Sequence, residues 1–469
     1  MHTKLLFQST IAFVVTVMVG SALAMSGGAF GGANVVQIAR RTETLQVPVE
    51  QVEKKVPVPT VEGLGVTASD ARIGMRLQNR IRNRLGISLS LKTVVAGMTE
   101  QRALLSKTMT VTFATDDGKK IPDLVISADH FPLLLAVNVT RSGMRTAFDT
   151  SGLQNEVLKT PPEGIILPVD AVLTAKHDEY SVEKATTDGI AKSGYDFDAA
   201  ASAQTIVDAF EHGDAALSIP IHTVAGRIAN TTGEDLGALT LIATGRSNFK
   251  GSGEGRKANV RKGLTQHLHN TIVPSGKQFS MNSVISHVPV SQWSMALGIF
   301  DGGTLRMVPG GGLCQVATTL YRAALDAGFP ILKRANHSLF VHYYEAYGVG
   351  IDATIFPGQQ DLTFMNNTNG ALLIQAYVDG DEATVNIYGT PDGRTTALEG
   401  PYFSKNAPAG LFTDGRTLHN NEIAWEQHIT FPDGHTEANT ILSRYKSIPT
   451  SVVTKYLHAA AENNPSITD

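Results

Sequence analysis

Gly310-Gly311-Gly312-Leu313-Cys314 runs into Gln315-Val316-Ala317-Thr318-Thr319-Leu320-Tyr321-Arg322-Ala323-Ala324-Leu325-Asp326 and halts at Ala327-Gly328-Phe329-Pro330. Val316, Ala317, Leu320, Tyr321, Ala324 and Ala327 recur at helical spacing and make one broad apolar face. Gly328 suits the position just past a helix, and Pro330 blocks continuation. The spacing therefore predicts a helix with Cys314 at or near its N-terminus. The partial positive charge and free N–H groups there favour a thiolate. Backbone N–H groups at Gly312 and Gln315 are placed to hold a developing oxyanion. Three glycines before the cysteine leave the backbone open to a substrate.

Cys314 is the single cysteine of 469 residues, so no internal disulfide can form. His337 follows in the segment from Ile331 to Tyr344, which reads as a strand or strand pair. Asp352 lies 15 residues further, in Gly350-Ile351-Asp352-Ala353-Thr354-Ile355, another strand candidate. A histidine is the usual acceptor of a thiol proton, and a carboxylate behind it fixes the imidazole tautomer. The other reading makes Cys314 a small buried hydrophobe, His337 a hydrogen-bonded core residue and Asp352 a turn or cap. No metal site is expected: His337 and His342 would point to opposite faces of a strand, His267 and His269 fall in a helical pattern, and no H-E-x-x-H occurs. No cofactor is expected.

Working outward, the chain divides at changes of character. Residues 1–24 carry Lys4, then an apolar run of about 14 residues, and end Ser21-Ala22-Leu23-Ala24. That run falls short of the roughly 20 residues a spanning helix needs, and Ala22 and Ala24 fit a cleavage site. A signal peptide or an uncleaved membrane anchor is expected, and either puts the remainder outside the cytoplasm. Residues 25–63 read as a linker, with prolines at 48, 57 and 59 favouring an extended chain. Residues 64–237 read as an α+β module. It has a helix from Thr67 to Leu85 capped by Ser69-Asp70, strands at Thr108 to Thr115 and Val169 to Lys176, and a helix from Phe197 to Glu211. Residues 391–469 form a β-rich extension, with strands at Trp425 to Phe431 and Asn439 to Tyr445. A net charge of −4 gives nucleic acid no chain-wide attraction, so no such partner is expected.

Residues 238–390 carry a resemblance. Thr244-Gly245-Arg246-Ser247-Asn248-Phe249 is followed by Arg256 and Asn259. Then come Val273-Pro274-Ser275-Gly276-Lys277-Gln278-Phe279-Ser280-Met281-Asn282, the Gly-rich Cys314 block, Arg334-Ala335-Asn336-His337-Ser338, Gly350-Ile351-Asp352-Ala353-Thr354 and Asp361-Leu362-Thr363-Phe364-Met365-Asn366-Asn367-Thr368. In this order the blocks resemble the VanW family, with Ser275 where that pattern has proline. The passage from Phe197 to Val224 weakly resembles the peptidoglycan-binding module that often precedes such a domain; a spacer without ligand is the plainer reading. The family's association with bacterial walls implies peptidoglycan or its stem peptides as partner. Arg246, Arg256 and Arg334 are candidates to position an anionic group, such as a peptide-stem carboxylate or a wall phosphate, the alternative being ion pairs on a solvated face.

The expectation is an extracytoplasmic α+β protein of several domains, secreted or anchored to the membrane by its N-terminal segment. The order of Cys314, His337 and Asp352 looks like transglutaminase-like and papain-like cysteine enzymes, which implies such a core for the VanW-like domain. Cleavage or transfer of a wall amide through Cys314 is the enzymatic reading. A non-catalytic wall-binding or scaffold protein is the alternative.

Overall fold

The structure is a computed structural model that describes residues 13–14, 44–45, 67–127, 135–300 and 304–463. The expected signal or anchor segment and the linker lie outside the described residues but for those two pairs. Among the described residues no helix is long and apolar enough to cross a membrane. The protein is α+β with several separate sheets. It forms two compact units, residues 1–167 with 194–224, and residues 168–193 with 225–469.

In the first unit, helices Ala68–Leu85 and Leu91–Leu105 run in sequence. Thr67 caps the first, its hydroxyl accepting from the Asp70 N–H at 3.2 Å, so the cap lies before the expected Ser69-Asp70. Asp70 instead supplies the acidic residue that suits a first turn. Strand Thr108–Thr115 alternates as its sequence predicts, turning Met109, Val111 and Phe113 inward. It pairs in parallel with Ala216–Ile221 and antiparallel with Leu124–Ser127. Helix Ala199–His212 covers that core with Ala203, Ile206, Val207 and Phe210. Asp198 caps it by accepting from Ala200 and Ala201, and Gly213 ends it at a φ of 100°.

The second unit is built on a seven-stranded sheet. Its order is Ile228–Asn230, Ala171–Glu179, Val182–Thr187, Thr271–Val273, Leu372–Asp379, Glu382–Gly389 and Thr240–Asn248. The units do not follow the expected boundary at 237/238. Leu173 and Ala185 of the hairpin Ala171–Glu179/Val182–Thr187 bury against Ile272, Leu373 and Tyr388. This apolar contact draws the hairpin into the second unit's sheet.

Helix Cys314–Asp326 lies in the largest core, with every residue from Gln315 to Leu325 buried. Gly245, on the edge strand, lets that helix approach closely: a Cβ there would meet the Thr319 carbonyl oxygen at 2.1 Å. The C-terminal extension is an antiparallel sheet of Thr395–Tyr402, Glu422–Thr430 and Thr436–Arg444. A helix, Thr450–Asn463, follows these strands.

Candidate active site

Cys314 is the first residue of its helix, as the glycine-to-apolar transition predicts. Leu313 offers no side-chain cap, and the Gln315 and Val316 N–H groups turn instead to the backbone carbonyls of Gly312 and Leu313 at 2.9 and 3.0 Å. Gly312 adopts a φ of 102°, a conformation that favours glycine. A Cβ there would sit 2.6 Å from Arg256 Cγ. Of the two oxyanion candidates, Gln315 departs from expectation. The Gln315 N–H donates to the Gly312 carbonyl at 2.9 Å. The Gln315 side chain is buried beneath the helix and donates to Ser247 Oγ at 2.9 Å. The N–H that opens the helix beside Sγ is that of Cys314 itself.

The structure brings Cys314, His337 and Asp352 together. His337 Nδ1 hydrogen-bonds Asp352 Oδ2, and the His337 backbone N–H donates to the same oxygen at 2.9 Å. That leaves Nε2 free of the carboxylate, and the ring lies close enough to Cys314 for its charge to act on the thiol. The thiol also faces the Ile355 carbonyl at 3.6 Å. Neither His337 nor Asp352 is on a strand, contrary to the sequence pattern. Ile331–Lys333 is the only strand in that region, and His342–Tyr347 forms a short 3-10 helix. The segments that carry the pair meet through the Thr354 N–H and the Ala335 carbonyl at 2.8 Å, and one such bond makes no ladder.

Side chains hold these irregular segments instead. Thr318 Oγ1, on the site helix, accepts from Ala353 N–H at 3.1 Å. Arg322 donates to the carbonyls of Ile351, Tyr344, Gly348 and Arg246 at 2.6 to 3.1 Å. Arg334, expected to meet a ligand, faces Asp352. Its Nη2 lies 3.6 Å from Oδ1, and its Nε donates to the Asp352 carbonyl at 2.7 Å. Tyr445 donates its hydroxyl to Asp352 Oδ1 at 2.5 Å. Sequence reasoning missed Arg322 and Tyr445. An arginine within an otherwise apolar helix was a readable signal for the first; the second had none.

The electrostatics follow from this packing. Burial raises the proton affinity of Cys314, but the hydrogen bond and charge of His337 outweigh it and the thiol falls below its ordinary value. Burial acts to lower His337, yet Asp352 and Cys314 hold it well above the usual range. Burial acts to raise Asp352, and His337, Arg334 and Tyr445 together bring it down to about 2. The arrangement favours a thiolate–imidazolium pair backed by a carboxylate.

Cys314 and His337 open onto a cleft of 1140 Å³ that Arg256 and Tyr343 also line. Arg256 lies with its guanidinium 4.6 Å from the Tyr343 ring centroid. Arg246 is half-exposed on its strand, 4.0 Å from Glu382, and is not among the residues lining the cleft. Among the described residues, metal-ligand types converge at Glu399, Glu426 and His428, within 4.8 Å of one another on the C-terminal sheet, and none of the three lines this cleft.

The segment that supplies Arg256, Cys314, His337 and Asp352 matches, over residues 255–388, the family described as VanW like protein. Residues 255–388 are a VanW-like domain. Over 140 residues the chain is 31% identical to the Uncharacterized protein YoaR of Bacillus subtilis (strain 168), covering 30% of this chain and 45% of that relative. The chain thus spans less than half the length of that curated relative. No solved structure matches.

Proposed function

We propose that this protein is an extracytoplasmic cell-envelope protein that cleaves or transfers an amide bond of peptidoglycan stem peptide through Cys314. The observation that carries the reading is the His337 ring bonded to the Asp352 carboxylate and lining one cleft with the Cys314 thiol at the start of its helix. In this scheme the thiolate attacks the carbonyl carbon, and the Cys314 N–H faces the oxygen that gains charge. The imidazolium gives its proton to the departing amine as the C–N bond breaks, leaving a thioester. Water or a second amine then attacks with His337 as base, and the thiolate departs. Asp352 keeps the imidazole oriented throughout. Arg334 and Tyr445 fix Asp352, and so act through it.

The test is the pH dependence of Cys314 alkylation by iodoacetamide in the full chain. A midpoint well below about 8.5, the free-thiol value, that rises in His337→Ala is the expected result. An unreactive or unperturbed thiol would leave Cys314 as packing. The protein would then be read as a non-catalytic wall binder, to be checked by retention on isolated sacculi at low salt.

A further inference from the structure

One wall of the Cys314 cleft is inverted relative to an ordinary surface ribbon. The hairpin Met295–Phe300/Thr304–Pro309 is two-stranded, with no third strand paired to it among the described residues. Its register sets Leu297 opposite Met307 and Ile299 opposite Leu305. Alternation places these four side chains on one face, while Ala296 on the other face is buried. A ribbon at a surface normally turns its apolar face inward. Here Leu297, Leu305 and Met307 are 54%, 56% and 56% exposed, and all three line the cleft that holds the thiol. Apolar side chains gathered on one exposed face mark a surface that is covered in use.

Arg256 supplies the second half of the recognition chemistry. Its two contacts are neutral, the Ser252 hydroxyl at 2.9 Å and the Tyr343 ring. Nearby Glu254 lies instead with Lys257, at 3.7 Å. Arg256 lines the same cleft as Cys314, and its Cγ would lie 2.6 Å from a Cβ at Gly312, two residues before the thiol. A guanidinium that has no acidic partner among the described residues and lines a cleft suits a carboxylate, which it can bind through two parallel N–H donors.

We infer that the cleft takes a short extended peptide, its aliphatic side chain on the Leu297, Leu305 and Met307 face and its carboxylate on Arg256. These two contacts flank the carbonyl that Cys314 attacks. The inference rests on the thiol chemistry proposed above and names the substrate class for it. Charge complementarity fixes the carboxylate, the apolar face fixes the side chain, and the thiol requires a carbonyl between them.

The experiment measures how peptides slow iodoacetamide alkylation of Cys314 in the full chain. The probes are N-acetyl-leucyl-alanine, its C-terminal amide, and N-acetyl-aspartyl-alanine. The leucyl free acid should protect at a concentration about tenfold lower than either other peptide. In Arg256→Gln the difference between acid and amide should vanish while the preference for the leucyl peptide remains. A double variant, Leu297→Ser with Met307→Ser, should show the reverse. Equal protection by all three peptides, or by none, on a thiol with a lowered midpoint would overturn this inference and leave the thiol chemistry standing. An unreactive thiol would remove the thiol chemistry, and this inference with it. The wild-type comparison among peptides needs no variant, so a variant that fails to fold does not decide the result.

Discussion

Glu422 shows how strongly single side chains organise this protein away from the thiol. Its carboxylate is fully buried. It accepts from the His419 N–H at 2.9 Å, from Arg416 at 3.0 Å and from Arg444 at 2.8 and 2.6 Å. Burial acts to raise its proton affinity, but these donors win and bring it down to about 2. A carboxyl depressed in the folded state contributes stability that is present above its unfolded value and lost as pH falls through the folded one. For Glu422 that window runs from about 4.3 down to about 2. The contribution at neutral pH is on the order of 3 kcal/mol. Glu422→Gln should lower the urea midpoint at pH 7 and flatten the acid side of the stability curve between pH 4 and 2. A variant that keeps the full acid slope would place that slope elsewhere, with Asp352 next in line. At this scale the sequence showed which residues gather at the candidate site more readily than which residues hold them. Cys314, His337 and Asp352 stand out as a set because a thiol, an imidazole and a carboxylate are distinct residue types. Arg334 is legible as a charge but not as the partner of Asp352, since charge says nothing of direction.

Among the elements, helix Cys314–Asp326 was the easiest to read, because one face repeats at 3.6 residues and Gly328 and Pro330 close it. The segments bearing His337 and Asp352 read as strands because they are short and apolar-rich. They are instead irregular, pinned by Thr318 and Arg322 from the helix, and no local pattern encodes a tether from another element. The same helix depends on close approach of strand Thr240–Asn248. A Cβ at Gly245 would lie 2.1 Å from Thr319 O and 2.6 Å from Ala323 N. Both are helix backbone atoms, which cannot swing aside as a side-chain end would. Gly245→Ala should therefore cost about 1–3 kcal/mol or more, read as a lower urea midpoint at unchanged slope. A change within about 0.5 kcal/mol, the ordinary surface range, would mean that helix and strand separate freely.

Across the whole molecule, the expected division into an α+β module, a VanW-like domain and a β-rich extension misses two long-range connections. The hairpin from Ala171 to Thr187 is claimed by the sheet of the second unit, a pairing that the sequence around it does not encode. The C-terminal sheet lies outside residues 255–388, yet it sends Tyr445 to Asp352 across 93 positions. The candidate site is thus completed by residues beyond the family segment. Tyr445 is buried and its ring lies edge-on to Phe340 at 5.6 Å, so Tyr445→Phe keeps the packing and removes one donor. That loss should cost about 1–3 kcal/mol. It also frees Asp352 Oδ1 to rotate, which loosens the Oδ2 contact that orients His337. The midpoint of Cys314 alkylation should then move up towards the free-thiol value of about 8.5. A drop in thermal midpoint with an unchanged alkylation profile would make Tyr445 a core tyrosine alone. A shifted profile would make the C-terminal sheet part of the machinery that sets the thiolate, and would show why the VanW-like segment by itself is an incomplete site in this chain.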